Sequence, residues 1–313
     1  AVRPHHHPYV TGGVLHPLGP SGPEAPPEAH QRGPRLPLRR RDLGADAGPP
    51  DQGGDHDRAP DGPAPDHERL GSPLVHGPPC RALCGGAPRH ARKVVLTLPE
   101  PVPNQKDWGE LNGRQLDFSN EADRINACKW YIDYAIDRFK KAQFENISLD
   151  GFYWIAEEAT NSRTILNEIG AYMRSLGYKF YWIPYWGSDG HGEWKELKFD
   201  VAYQQPNYFF YEQKPDSMHL KTVCEFAKEK GMYLEVEFDE RALKKSPDYR
   251  ADRLHEYMEA YEKYGALYDI PLAYYIGDCM VYDLATSSYK EDNDLYNWFA
   301  DIVVKRQHIR GEK

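Results

Sequence analysis

From Lys93 onward the sequence alternates short apolar runs with longer segments whose apolar residues recur every three or four positions. The runs cover 94–98, 147–155, 179–185, 199–203, 232–238 and 272–276. They are rich in β-branched and aromatic residues and too short for helices, which predicts six strands. Between several of them lie helical patterns: Ile125, Cys128, Ile132, Ala135 and Phe139; Ile165, Ile169 and Met173; Leu254, Met258 and Tyr261. Ser119 or Asn120 can cap the first of these helices. Gly177, Gly231 and Gly265 each stand after a helix and before a strand, where a left-handed residue ends a helix. Helix crossovers return the chain for parallel strands, so the pattern predicts an α/β fold with its functional groups at the strand C-terminal ends. A (β/α)8 TIM-barrel-like architecture needs eight strands, and six are visible. The expectation is therefore a barrel incomplete at its N-terminus.

Composition changes abruptly at that boundary. Residues 1–92 hold 18 of the 26 prolines, 14 of the 26 glycines and 9 of the 13 histidines, but no Trp, Phe, Ile, Met, Asn or Lys. Such a segment cannot bury enough apolar surface to offset the entropy of ordering its backbone, and it is expected to be disordered. All 11 of its basic residues are Arg. Because Lys, Ile, Asn and Phe have A/T-rich codons, this bias predicts a stretch read out of frame from a G/C-rich gene, with a genuine low-complexity leader as the rival. The domain expectation is a low-complexity or out-of-frame segment over 1–92 and a partial barrel over 93–313.

Charge and motifs narrow the function. A net charge of −9 argues against nucleic acid as a partner, since a phosphate binder needs a basic face. No GxGxxG or GxxxxGK[ST] follows a strand, so no nucleotide cofactor is expected. Cys80 and Cys84 lack a matching pair, and His5, His6 and His7 sit in a His-rich tract, so no metal site is expected either. No apolar stretch is long enough to span a membrane, and no signal-peptide core is visible.

Acids at two strand ends supply the candidate chemistry. After 147–155, alternation puts Tyr153, Ile155 and Glu157 on one face and Trp154 and Glu158 towards the other. In the run through 232–238, Glu235, Glu237 and Asp239 share a face opposite Val236 and Phe238. In a barrel the apolar face packs on helices, which points the acids inward, an expensive place for unpaired charge. Interior salt bridges and helix caps are the structural alternatives, strongest for Glu158 and Glu240. Asp278 is a third strand-end acid, with a loop role as its alternative. Trp154, Tyr185, Trp186 and Tyr275 offer flat rings suited to sugar faces or to core packing. Gln205 and Asn207 offer neutral hydrogen-bonding groups for hydroxyls, or loop caps.

These stretches carry a resemblance. Val94 to Pro99, Leu116 to Ser119, Lys129 to Asp133, Gly151 to Trp154 with Glu157 and Glu158, Phe180 to Tyr185, Gln205 to Tyr208, Glu235 to Asp239 and Ala273 to Gly277 together resemble a bacterial family known only as domain of unknown function 4855. The resemblance implies a glycoside-hydrolase-like barrel of exported, extracellular or cell-surface proteins. Asp150, Gly151 and Glu157 fit part of the chitinase-type Asp-Gly-x-Asp-x-Asp-x-Glu strand, but Tyr153 and Ile155 replace its middle acids. If one strand precedes residue 93, Glu157 and Glu237 end the third and sixth strands. The same three-strand offset separates acid/base and nucleophile in retaining barrel glycosidases, although Ala156 stands where that clan has Asn. The expectation is hydrolysis of a poly- or oligosaccharide, with Glu157 and Glu237 catalytic. Glu158, Glu235, Asp239, Trp154, Tyr185, Trp186, Gln205, Asn207, Tyr275 and Asp278 are expected to bind substrate. The alternatives are a non-catalytic carbohydrate-binding barrel and an inactive truncated product.

Overall fold

A computed structural model describes residues 92–216, 218–277 and 279–311. The expectation for the Pro/Gly/Arg segment, Arg92 apart, lies outside the described residues. The first strand, β1 (Arg92–Leu98), is followed by a short hairpin of β2 (Glu110–Leu111) and β3 (Arg114–Gln115). Its turn is Asn112-Gly113, both at positive φ (55° and 75°), the conformation a two-residue hairpin turn demands. Helix α1 (Glu121–Lys141) starts at Asn120, whose side chain accepts from the Ala122 N–H. Then come β4 (Ile147–Trp154), α2 (Arg163–Ser175), β5 (Lys179–Trp182), β6 (Val201–Gln204), α3 (Met218–Lys230), β7 (Tyr233–Glu237), α4 (Ala251–Lys263) and β8 (Leu272–Tyr275). Two C-terminal helices, α5 (Met280–Thr286) and α6 (Lys290–Arg310), complete the described chain.

Six strands form one parallel sheet in the order β1-β4-β5-β6-β7-β8. All six correspond to the runs read from the sequence, with ends shifted by a few residues. The sheet is α/β in class, and among the described residues β1 and β8 are its edges. The connection from β5 to β6 departs from the helix-glycine-strand pattern. Pro184 follows β5 closely, and residues 183–200 cross without an α-helix, held by Trp194 and by Asp200, which accepts from the Phe180 N–H.

Period-2 alternation divides the sheet into two faces. Phe152, Trp154, Phe180, Trp182, Ala202, Leu234 and Val236 are buried in the core between sheet and helices. The other face carries Tyr153, Ile183, Gln205, Glu235, Glu237 and Tyr275. Side chains from five neighbouring strands or their ends line one cleft, so the sheet curls and this face is concave. Close approach of β4 to β5 depends on Gly151: a Cβ there would lie 2.1 Å from the Lys179 carbonyl oxygen. No described helix is long and apolar enough to cross a membrane.

Candidate functional site

The cleft opens at the C-terminal ends of the strands and is built on β4 and β7. Tyr153 faces inward from β4, and the same alternation, continued past the strand end, brings Glu157 into the cleft. Glu235 and Glu237 face it from β7, 5% and 1% exposed. Ile183 and Gln205 close one side, with the Gln205 amide donating to the Ile183 carbonyl at 2.7 Å. Phe210 and Tyr275 form an edge-to-face wall with ring centroids 5.8 Å apart. The cleft measures about 320 Å³ including its mouth, at the lower end of ligand-sized pockets. Its enclosed part has room for about one water.

The three acids differ in their surroundings. One oxygen of Glu237 accepts from the Asn207 backbone N–H at 2.7 Å and from the Tyr257 hydroxyl of α4 at 2.7 Å. Asn207 reaches it because the loop after β6 turns through a left-handed residue there (φ 57°), which Asn tolerates better than most side chains. Burial raises the Glu237 pKa, the two donors oppose that rise, and the charge of Glu157 adds to it. Burial raises the Glu235 pKa too, and the charges of Glu237 and Glu157 add to that rise. Among the described residues no hydrogen bond reaches its carboxyl; α4 holds only its backbone, through the Tyr261 hydroxyl on the Glu235 carbonyl at 2.6 Å. Two donors favour charge on Glu237 and none reaches the Glu235 carboxyl, so of the pair Glu237 is the better prepared to ionise and Glu235 the better to hold a proton.

Tyr153 adds a fourth polar group. It is 6% exposed, and its hydroxyl has no hydrogen-bond partner among the described residues. Burial and the charges of Glu157 and Glu235 all disfavour its ionisation, so it stands in the cleft as a neutral donor and acceptor.

Other expected site residues lie elsewhere. Trp154 is fully buried on the helix-facing side of β4, its ring edge-on to Phe180 at 6.1 Å, because alternation turns its neighbour Tyr153 inward instead. Glu158 lies outside the cleft lining and accepts from the Tyr185 hydroxyl at 3.2 Å, while Tyr185 bridges to Gln205. Asp239 does not continue the inward face. The strand ends at Glu237, and Asp239 caps a 3-10 turn and pairs with Arg241. Trp186 packs edge-on against His191, His219 and Phe226 in the loop layer. Asp278 lies outside the described residues. Gln205 and Tyr275 line the cleft, and Asn207 contributes its backbone rather than its amide.

Sequence reasoning passed over Tyr257, Phe210 and Ile183 as site residues. Tyr257 carried a signal. It stands one turn before Tyr261 on the core-facing stripe of α4, and a tyrosine buried there must find an acceptor for its hydroxyl. Phe210 lies in a loop with no periodicity to place it. Among the described residues no group of three or more His, Cys, Asp or Glu is arranged to hold a metal ion.

Comparison with known proteins adds the following. The family described as "Domain of unknown function (DUF4855)" matches residues 81–301. No curated protein matches. Among solved structures, a "putative alpha-L-fucosidase" from Bacteroides thetaiotaomicron is similar at 14% identity and a TM-score of 0.39. The match covers 59% of this chain and 63% of that one, so the chain spans less than two thirds of that structure.

Proposed function

We propose that this chain, which belongs to the family of the DUF4855 domain, is a glycoside hydrolase whose two working carboxyl groups are Glu157 and Glu237. The observation that carries the reading is their meeting in one cleft from two different strands, with aromatic rings as its wall. Glycosidic bond cleavage needs one carboxyl group to protonate the leaving oxygen and one carboxylate on the other side of the bond. Glu157 gives its proton to the glycosidic oxygen as the bond to the anomeric carbon breaks. Glu237, its charge supported by the Asn207 N–H and the Tyr257 hydroxyl, meets the positive charge developing on that carbon. Water then supplies the hydroxyl of the new reducing end, and the proton it loses passes to the Glu157 carboxylate, which restores the acid and leaves Glu237 ionised. The Phe210 and Tyr275 rings offer an apolar face to the sugar. We further propose that the six-stranded concave sheet is part of a (β/α)8 barrel, the architecture in which active sites gather at strand C-terminal ends.

The test is hydrolysis of a polysaccharide panel, followed by release of reducing ends. Glu157→Gln is expected to lower turnover by about 10² to 10⁴-fold, the usual worth of a positioned general acid. Glu237→Gln is expected to abolish it. Full turnover by either variant on a polysaccharide that the wild type cleaves would reject its role, and sugar binding without cleavage by the wild type would favour a non-catalytic carbohydrate-binding domain.

A further inference from the structure

Two carboxyl groups suffice for glycoside hydrolysis, and the described residues bring three into the cleft. Glu235 lies on the same face of β7 as Glu237, is 5% exposed, and has no hydrogen bond to its carboxyl among the described residues. Among the described residues no Lys, Arg or His lines the cleft to balance it. A buried carboxylate without a partner is costly, so with no cation beside it Glu235 favours its protonated form. The Tyr153 hydroxyl, close enough to feel the charge of Glu235, has no hydrogen-bond partner among the described residues, and buried polar groups without partners are uncommon enough to call for an explanation.

We propose that the cleft takes a protonated amino sugar, whose ammonium group is held by the Glu235 carboxylate and the Tyr153 hydroxyl oxygen. The inference rests on the reading of the cleft as a glycosidase site and names its substrate class. An ammonium group has three donors and no acceptor. It matches a site rich in acceptors, whereas a neutral sugar hydroxyl would leave Glu235 protonated and form no ion pair with it. The enclosed space, with room for about one water, has the size of such a group. Protons balance: a charged amine entering beside the neutral Glu235 releases that proton to solvent and leaves an ammonium–carboxylate pair. The net charge of −9 favours the approach of a cationic polymer.

The experiment is calorimetric binding of glucosamine and galactosamine oligosaccharides, each beside its N-acetylated counterpart and a neutral hexose oligosaccharide. The free amine is expected to bind at least about 10-fold more tightly than the acetylated form, the worth of a charge-assisted hydrogen bond. Glu235→Gln is expected to erase that preference, Glu235→Asp to keep it, and Tyr153→Phe to weaken amine binding more than binding of the acetylated form. Equal binding of amine and acetyl forms, a preference that survives Glu235→Gln, or no binding of any amino sugar would overturn the proposal. Binding is read without turnover, so the two readings fail separately. Glu235-dependent amine binding without release of reducing ends would leave this inference standing and remove the hydrolase. Cleavage of a neutral polysaccharide that depends on Glu157 and Glu237, without amine preference, would do the reverse.

Discussion

Tyr257, midway along α4, donates its hydroxyl to Glu237 at 2.7 Å, so a helix behind the sheet sets the charge of a carboxyl group in front of it. Both residues are almost wholly buried, at 0% and 1% exposure. The bond is thus unscreened by solvent, and it lowers a pKa that burial pushes up.

Removing that hydroxyl gives the first expected outcome. Tyr257→Phe keeps the ring and leaves Glu237 with the Asn207 N–H alone. With the opposing influence gone, the Glu237 pKa rises, and the acidic limb of the pH–rate profile should move to higher pH with kcat lowered. Stability should fall by about 1–3 kcal/mol, the cost of leaving a buried acceptor short of a partner. A pH–rate series on the variant checks it. A packing role alone would change stability and leave the limb in place.

Glu235 and Glu237 give the second, through stability against pH. Both are raised in the folded chain, chiefly by burial. A carboxyl group raised on folding holds more protons in the native state than in the unfolded one once pH exceeds about 4.3, the ordinary value for Glu. Its contribution is therefore fully present below that pH and is lost as pH rises towards the folded pKa. The groups facing Glu235 are Glu237, Glu157 and Tyr153 in the cleft and Tyr261 from α4, none of them a cation. Glu235→Gln should accordingly raise the melting temperature at pH 8 by more than at pH 5. Thermal unfolding across that range tests it, and an equal shift at both pH values would show that Glu235 is not held protonated.

Much of this arrangement was legible in the sequence because strand alternation is a local property. It assigned Tyr153 and Glu157 to one face of β4, the second strand of the main sheet, and its continuation, and Glu235 and Glu237 to one face of β7, and all four line the cleft. Alternation is also why it gave Asp239 to the same face. What it could not register was that the strand stops at Glu237, where Asp239 caps a turn and meets Arg241. Trp154 shows another limit. Its type suits a sugar or a core equally, and the position of Tyr153 decides between them. The Asn112-Gly113 hairpin was readable from its dipeptide, but its strands are only two residues each and too short to show a period. Tyr257 and Asn207 reach Glu237 from 20 and 30 residues away in the chain. Such contacts depend on the packing of α4 and of the loop after β6; the α4 stripe shows that the Tyr257 hydroxyl needs an acceptor but not which one.

Trp182 carries the last expected outcome, because it ties the core to the segment that presents Glu157. It is fully buried on the helix-facing side of β5, stacks on Phe199 with centroids 4.7 Å apart, and donates its indole N–H to the Ala156 carbonyl at 2.7 Å. Ala156 immediately precedes Glu157, after β4 has ended, between two long backbone hydrogen bonds, from the Ile155 N–H to the Leu98 carbonyl at 3.2 Å and from the Tyr185 N–H to the Glu157 carbonyl at 3.4 Å. Trp182→Phe keeps an aromatic ring on Phe199 but removes the donor, leaving the Ala156 carbonyl unpaired in a half-buried position. The stability cost should be about 1–3 kcal/mol. The larger effect should fall on turnover, since a shift of about 1 Å in a reacting group can cost on the order of 100-fold in rate. Because the change lies outside the cleft, binding of a sugar ligand should be nearly unchanged while kcat drops. A parallel loss of binding and turnover would instead mean that the whole cleft depends on Trp182 for its shape.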